Sequence, residues 1–158
     1  MFNIGDKVVY PMHGAGIIEA IEEKEISGEK LRYYIIRLPL GEMRAMVPMH
    51  KVDEVGLRQV VDESEIRKVL ELLKTEPTLM PLNWNHRYRA NMEKIKSGSI
   101  YEVAEVVRNL SLRDRQKGLS TGERKMFENA RRILISELVL AQNIGETQAV
   151  EMLNTYLN

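Results

Sequence analysis

The residues of this sequence best suited to chemistry lie in one short polar stretch that contains its single tryptophan. Within Asn83–Arg89, the indole of Trp84 is followed by two arginines, three and five residues later. A flat apolar ring beside guanidinium groups suits stacking on a base or wedging into a minor groove while the cations contact phosphates. The stretch therefore indicates nucleic-acid binding.

The same tryptophan also fits a core position. Trp84, Tyr88, Met92 and Ile95 follow helical spacing, which is typical of a packing stripe. This spacing slightly favours the core, whereas the position of the ring at the very start of the predicted helix favours an exposed contact. The local pattern leaves both alternatives open.

Catalytic and metal chemistry find little support in the remaining residues. The chain has no cysteine, which excludes disulfides, thiolate nucleophiles and cysteine-based metal sites. Its three histidines, His13, His50 and His86, are widely separated and show no metal-ligand spacing. Gly14–Gly16 is too short for a phosphate-binding loop and precedes a predicted strand. We therefore expect no enzyme activity, no cofactor and no small-molecule substrate.

The charge distribution conceals a basic region. The formal net charge is zero, which argues against a strong free-standing nucleic-acid binder. Residues 83–134 nevertheless hold 12 basic and 6 acidic side chains, so this region carries +6 and the rest of the chain −6. Such asymmetry indicates an anionic partner, although solvated helix faces are an alternative explanation.

Nothing in the sequence suggests membrane insertion. The longest apolar tract, Ile133–Ala141, is interrupted by Ser136 and Glu137 and is shorter than the roughly 20 residues that span a bilayer. The first residues carry no signal-peptide pattern. We expect a cytoplasmic protein.

Hydrophobic periodicity predicts an α+β protein with two parts. Residues 1–57 alternate short β-branched or aromatic runs with turn signals, which favours a small bent β-barrel of SH3 or Tudor type. A tight turn is expected at Gly14–Gly16 and a hairpin turn at Ser27–Gly28. Strands are predicted at Lys7–Tyr10, at Ile17–Ile21 with a polar arm to Ile26, at Leu31–Leu38 and at Met43–Pro48.

Residues 58–158 have helical periodicity and predict a compact domain of four or five helices. Helices are expected to start near Asp62, near Asn83, at Ser99 and at Ser120, and a last one follows Gly145. The third and fourth of these begin with the Ser-x-x-Glu pattern of a capping box, completed by Glu102 and Glu123.

With these residues in view, the sequence resembles the stand-alone CarD/CdnL family of bacterial transcription regulators. The likeness covers nearly the whole chain. The matching segments are Gly5–Gly16, Asn83–Asn91, Arg108–Leu110 with Arg113–Asp114, and Gly118–Glu123.

The resemblance implies a protein with two partners and no enzymatic activity. A Tudor-like module at 1–57 is expected to bind the RNA polymerase β subunit by extending a β-sheet through an edge strand. The helical domain at 58–158 is expected to place Trp84 in the promoter minor groove at the upstream edge of the bubble, without sequence specificity. This contact is expected to stabilise the open complex.

The implied binding residues form two sets. Trp84 is the wedge, and Arg87 and Arg89 contact phosphates. The remaining candidates for DNA binding are Asn83, His86, Lys94 and Lys96. The candidates for polymerase binding are Lys24, Glu42, Arg44, Ala45, Met46 and Val47.

One feature departs from the family pattern, and one alternative function remains. Some members carry an arginine in the edge strand where this chain has Met46, with Arg44 two residues earlier on the same face. The alternative is a protein–protein adaptor of the transcription machinery, in which Trp84 packs internally and the basic face is simply solvated.

Overall fold

The computed structural model describes residues 1–158 as an α+β protein, in which a five-stranded antiparallel sheet precedes a helical domain. The spatial order of the strands is β4-β3-β2-β1-β5. The strands are Lys7–Tyr10 (β1), Gly14–Ile26 (β2), Glu29–Leu38 (β3), Met43–Pro48 (β4) and Arg58–Gln59 (β5). The helices are Val52–Val55 (α1), Glu63–Leu73 (α2), Trp84–Lys96 (α3), Ile100–Lys117 (α4), Thr121–Gln142 (α5) and Glu146–Leu157 (α6).

The sheet forms around short runs of β-branched and aromatic residues, such as Val8–Tyr10 and Tyr33–Ile36. Ser27 and Gly28 both have positive φ, which is the backbone of the tight hairpin turn that joins β2 to β3. The predicted hairpin is thus confirmed. The inward side chains form one apolar cluster, made of Val8, Ile18, Tyr34, Ile36, Leu38, Val47 and Leu57.

The helical domain buries the stripes that the sequence predicts. Its core joins all five helices from α2 to α6. None of the helices combines the length and apolar character needed to cross a membrane. The inward residues include Ile66, Val69, Leu70, Val103, Val107, Leu110, Met126, Leu134 and Leu138.

One turn prediction and one helix-cap prediction are wrong. Gly14–Gly16 is not a turn, because Gly14 already pairs with Tyr10 and the chain reverses at residues 11–13. These glycines serve close packing: a Cβ on Gly16 would lie 2.5 Å from the Arg37 carbonyl oxygen. Ser99 does precede a helix, but its side chain makes no cap hydrogen bond.

The sheet also extends beyond the expected boundary at residue 57. Arg58 and Gln59 pair with Val9 and Val8 as the short strand β5, which two residues could not reveal by periodicity. The sheet therefore continues through Gln59 before the helical domain begins at Glu63.

Polar contacts fix the helical domain against the sheet. The Arg58 guanidinium donates to both carboxylate oxygens of Glu137 on α5, at 2.8 and 2.7 Å. Ser136 Oγ accepts a hydrogen bond from the Ala15 backbone N–H at 2.8 Å. Gly14 permits this approach, since a Cβ there would lie 2.9 Å from Ser136 Oγ. Because Ser136 and Glu137 are buried, the two parts hold a defined orientation.

Candidate nucleic-acid interface and edge strand

Trp84 lies at the first residue of α3, at the mouth of the helical domain. The helix begins there because the Asn83 side chain caps it, accepting a hydrogen bond from the His86 N–H at 3.2 Å. From this start the predicted stripe runs inward: Tyr88 and Met92 pack against the core and Ile95 is buried. Trp84 itself keeps 42% of its surface exposed. It is therefore the outer end of the stripe and not a core residue.

The indole is held from three sides. Its only polar atom, Nε1, donates to Ser120 Oγ at 3.0 Å. Its ring stacks on Tyr88, with centroids 5.2 Å apart and planes 21° apart. A Cβ on Gly122 would lie 3.3 Å from the ring atom Cζ2, so only glycine leaves the ring its full room. The rest of the ring faces solvent in a set direction.

The position of Arg87 does not fit its predicted role as a phosphate contact. Its side chain is buried, with 3% exposure, and donates to the Glu123 carboxylate at 2.7 and 3.1 Å. Glu123 is buried to the same degree. Its hydrogen bonds to this carboxylate raise the pKa of Arg87 above the usual arginine value, against the opposing effect of burial. The guanidinium is engaged inside the protein and is not available to a phosphate.

Arg87 also fixes the segment before the helix. Its Nη1 donates to the carbonyl oxygens of Pro81 and Leu82, at 3.3 and 3.1 Å. This contact holds the backbone that leads into Asn83 and Trp84. The Arg87–Glu123 ion pair thus holds the start of α3 in place.

The remaining candidate DNA-binding residues divide by exposure. Lys94 is half-buried and forms an ion pair with Glu105 at 2.8 Å, so it is largely neutralised. His86, Arg89 and Lys96 are exposed and take part in none of the ion pairs. Their spacing of three and seven residues places them on one side of α3. At 3.6 residues per turn, Trp84 points to a different side of α3, so the helix presents its exposed ring and these basic side chains separately.

Sequence reasoning missed three parts of this site. Ser120 and Glu123 were assigned to a reciprocal capping box, and half of that prediction is confirmed: Ser120 Oγ accepts from the Glu123 N–H at 3.2 Å. The Glu123 carboxylate pairs with Arg87 instead of returning to the cap. Leu82, 91% exposed beside the helix mouth, was not singled out. The Gly118–Glu123 segment of the resemblance was the signal available for the first two.

Strand β4 forms one edge of the sheet. It pairs with β3 along Met43–Pro48 and has no strand on its other side. Its free side offers unpaired backbone groups to another strand. Arg44 and Met46 are exposed, whereas Ala45 packs against the sheet core and Val47 is buried. Ala45 and Val47 therefore contribute backbone, not side chains, to any added strand.

The other two polymerase candidates lie around this edge. Glu42 is exposed in the left-handed conformation immediately before β4. Lys24 is exposed on β2, paired with Leu31, in the part of the β2–β3 hairpin that extends past the end of β4. It is two strands from the edge, so it belongs to the arm and not to the edge strand itself. Arg44, on β4, forms an ion pair with Glu19 of β2, in which Nε and Oε2 are 2.7 Å apart.

The sequence matches two family models that together cover most of the chain. Residues 2–61 match the CarD-like/TRCF RID domain, and residues 68–154 match the CarD C-terminal domain. Among curated proteins, "Putative transcription factor YdeB" of Bacillus subtilis (strain 168) is 45% identical over 148 residues, which cover 94% of this chain and 97% of the relative.

A solved structure is also similar to part of this chain. The solution NMR structure of the 72-residue N-terminal domain of Myxococcus xanthus CarD is 37% identical to this chain. The matched part covers 37% of this chain and 79% of that one, with a TM-score of 0.33.

Proposed function

The chain belongs to the CarD family of transcription factors, which is not a family of enzymes, and on this premise we propose that it binds RNA polymerase and stabilises the open promoter complex. In this proposal β4 adds to a sheet of the polymerase β subunit. Trp84 contacts the minor groove at the upstream edge of the bubble without reading sequence. The protein acts in the cytoplasm, on the nucleoid.

The observation that carries the proposal is the half-exposed Trp84 ring at the helix mouth. A core tryptophan would not keep 42% of its surface exposed, and the same helix carries three exposed basic residues, His86, Arg89 and Lys96, that make no ion pair. Apolar side chains inserted at base steps, flanked by cations at the phosphates, are how architectural proteins hold distorted DNA. The ring supplies the insertion and the cations supply the approach.

A neutral protein with so few free cations binds DNA weakly by itself, because phosphate contacts supply most non-specific affinity. Attachment to polymerase through β4 raises the effective concentration at the promoter to about the millimolar range. A contact of low intrinsic affinity then suffices. The defined orientation of sheet and helices lets one attachment point direct the ring.

The contact stabilises the open complex only through its preference for that state. A ligand shifts an equilibrium by its difference in affinity for the two states. A ring that fits an unstacked step at the bubble edge, and not closed duplex, has such a difference. One stacked ring contributes about 1–3 kcal/mol, or a factor of about 5 to 150 in open-complex stability.

The test is Trp84→Ala with Leu79→Ala as the matched control, since Leu79 is an exposed apolar residue of the segment that leads into α3. We expect the first variant to remain folded, with about 1–2 kcal/mol of lost stability from the buried part of the ring. It should lose the effect on open-complex lifetime, and the control should keep it. Full activity of Trp84→Ala would favour the alternative, an adaptor of the transcription machinery without DNA contact.

A further inference from the structure

The N-terminus of α5 and the start of α3 are joined around the tryptophan by four residues, here called the latch: Arg87, Ser120, Gly122 and Glu123. We propose that the latch fixes the direction of the Trp84 ring before DNA is bound, with Ser120 as the positioning residue. The inference rests on the proposed function, in which that ring contacts DNA. It adds that the contact is preorganised by a helix cap 36 residues away in the chain.

Ser120 Oγ has two separate tasks. It accepts the Glu123 N–H at 3.2 Å, which caps α5, and it also accepts the indole N–H of Trp84 at 3.0 Å. A hydroxyl oxygen has two lone pairs and can serve both donors. The helix requires only the first bond. The second has no role in capping, and it orients the one polar atom of an otherwise apolar, half-exposed ring.

Glu123 continues the latch on its inner side. In a reciprocal capping box its carboxylate would return to the N–H of the cap residue. Here the carboxylate is buried and holds Arg87, whose guanidinium in turn holds the carbonyl groups of Pro81 and Leu82. The Arg87 guanidinium therefore connects the backbone before Trp84 to Glu123 at the N-terminal end of α5.

Gly122 and Tyr88 complete the restraint. Tyr88 covers one face of the indole, and the ring edge at Cζ2 approaches the Gly122 Cα so closely that an added Cβ would lie at 3.3 Å. Rotation of the Trp84 ring is thus opposed by stacking on Tyr88, by the hydrogen bond to Ser120 and by the backbone of Gly122. Fixing a side chain in its bound direction removes the ordering penalty that binding would otherwise carry.

The first experiment separates the two tasks of Ser120. Ser120→Gly removes the hydroxyl, yet glycine as cap residue weakens a helix by only a few tenths of a kcal/mol. Ser120→Thr keeps the hydroxyl and is the matched control. Because Trp84 is the only tryptophan, fluorescence anisotropy and acrylamide quenching of the free protein report on this ring alone. We expect lower anisotropy and stronger quenching in Ser120→Gly, and wild-type values in Ser120→Thr.

The same variants are then tested on polymerase. Losing one hydrogen bond that holds the ring should reduce the gain in open-complex lifetime by about 2- to 10-fold in Ser120→Gly. Ser120→Thr should restore it. Polymerase affinity should be equal in both, because β4 is unchanged.

Gly122→Ala provides a variant that gains helix propensity while displacing the ring. Alanine is favoured over glycine inside a helix, so thermal stability should stay level or rise. The added methyl group should shift the Trp84 emission and reduce the open-complex effect. A more stable protein with a weaker effect is not expected from a purely structural role for this segment.

The outcomes distinguish the latch from the proposed function. Unchanged fluorescence in both Ser120→Gly and Gly122→Ala would overturn the latch, whatever the polymerase result. Changed fluorescence with an undiminished open-complex effect would also overturn it, provided that Trp84→Ala abolishes the effect. If Trp84→Ala itself has no effect on lifetime, the proposed function fails, and the latch loses its purpose.

Discussion

Arg87 gives the sharpest test of the helix mouth, because the sequence and the structure assign it opposite roles. As a phosphate contact it would be dispensable for folding. As the buried partner of Glu123 it is not: both side chains are at most 3% exposed, and two further hydrogen bonds run from Arg87 to backbone carbonyls. We expect Arg87→Gln to leave the buried Glu123 carboxylate without its hydrogen-bonded countercharge, with only Arg113 Nε remaining nearby at 3.9 Å.

The size of the effect follows from this burial. Removing one partner of a buried ion pair destabilises a protein by about 3–5 kcal/mol. For 158 residues, 1 kcal/mol corresponds to about 2–4 °C, so the expected fall in Tm is about 6–20 °C. Arg89→Gln is the matched control on the same helix. Arg89 is exposed and unpaired, so its loss should change stability by less than about 0.5 kcal/mol.

Two assays decide between the roles. Thermal unfolding by circular dichroism measures Tm, and DNA binding over a range of salt concentrations measures the number of phosphate contacts. Arg89→Gln should lower the salt slope by about one contact and leave Tm unchanged. The double variant Arg87→Met with Glu123→Leu should recover much of the lost stability, since both members of the buried pair are removed and only the partly exposed Arg113 loses an acidic neighbour. An Arg87→Gln protein of normal Tm with a reduced salt slope would refute the buried role.

Three further predictions concern other parts of the molecule. Proline at Ala45 or at Met46 should abolish polymerase binding while the helical domain keeps its Tm, because proline disrupts edge pairing; undiminished affinity measured by pull-down would exclude β4 as the docking edge. Ser136→Ala should lower stability in urea unfolding by about 1–3 kcal/mol, because the buried Ala15 N–H loses its acceptor; an unchanged midpoint would show that this contact is dispensable. Hydrogen bonds from the Glu65 N–H and, to a smaller extent, from Ser64 lower the pKa of Asp62, so the ionised Asp62 stabilises the fold above the unfolded-state pKa near 4 and this stabilisation is lost as pH falls through the lower folded-state pKa. Asp62→Asn should remove this component of acid unfolding, and an identical acid transition in the variant would contradict the assignment.

Local patterns predicted most of the fold because most of its elements are specified locally. The strand Leu31–Leu38 is visible as a run of β-branched and aromatic residues and the stripe from Ile66 to Leu73 as a period of 3.6 residues, and both were found where expected. The hairpin at Ser27–Gly28 depends on two adjacent residues. Such features need no knowledge of distant parts of the chain.

The errors arose where a distant partner decides the outcome. Arg87 lies among polar residues, so local reasoning exposes it, but its burial is caused by Glu123, 36 residues later. Gly16 appears in a glycine-rich turn signal, yet it is required because the backbone of the neighbouring strand β3 approaches it closely at Arg37. Sequence alone also could not choose between core and contact for Trp84, since the choice depends on where the stripe leaves the folded domain.

One helix links the two proposed contacts. The N-terminal end of α5 carries Ser120 and Glu123, which hold Trp84, and its C-terminal half carries Ser136 and Glu137, which hold the sheet. At 22 residues, α5 is a rod about 33 Å long. If β4 attaches to polymerase, the distance from the attachment to the ring is set by this rod and by the contacts at its two ends. The protein then selects a position on promoter DNA by geometry, which is consistent with a contact that reads no base sequence.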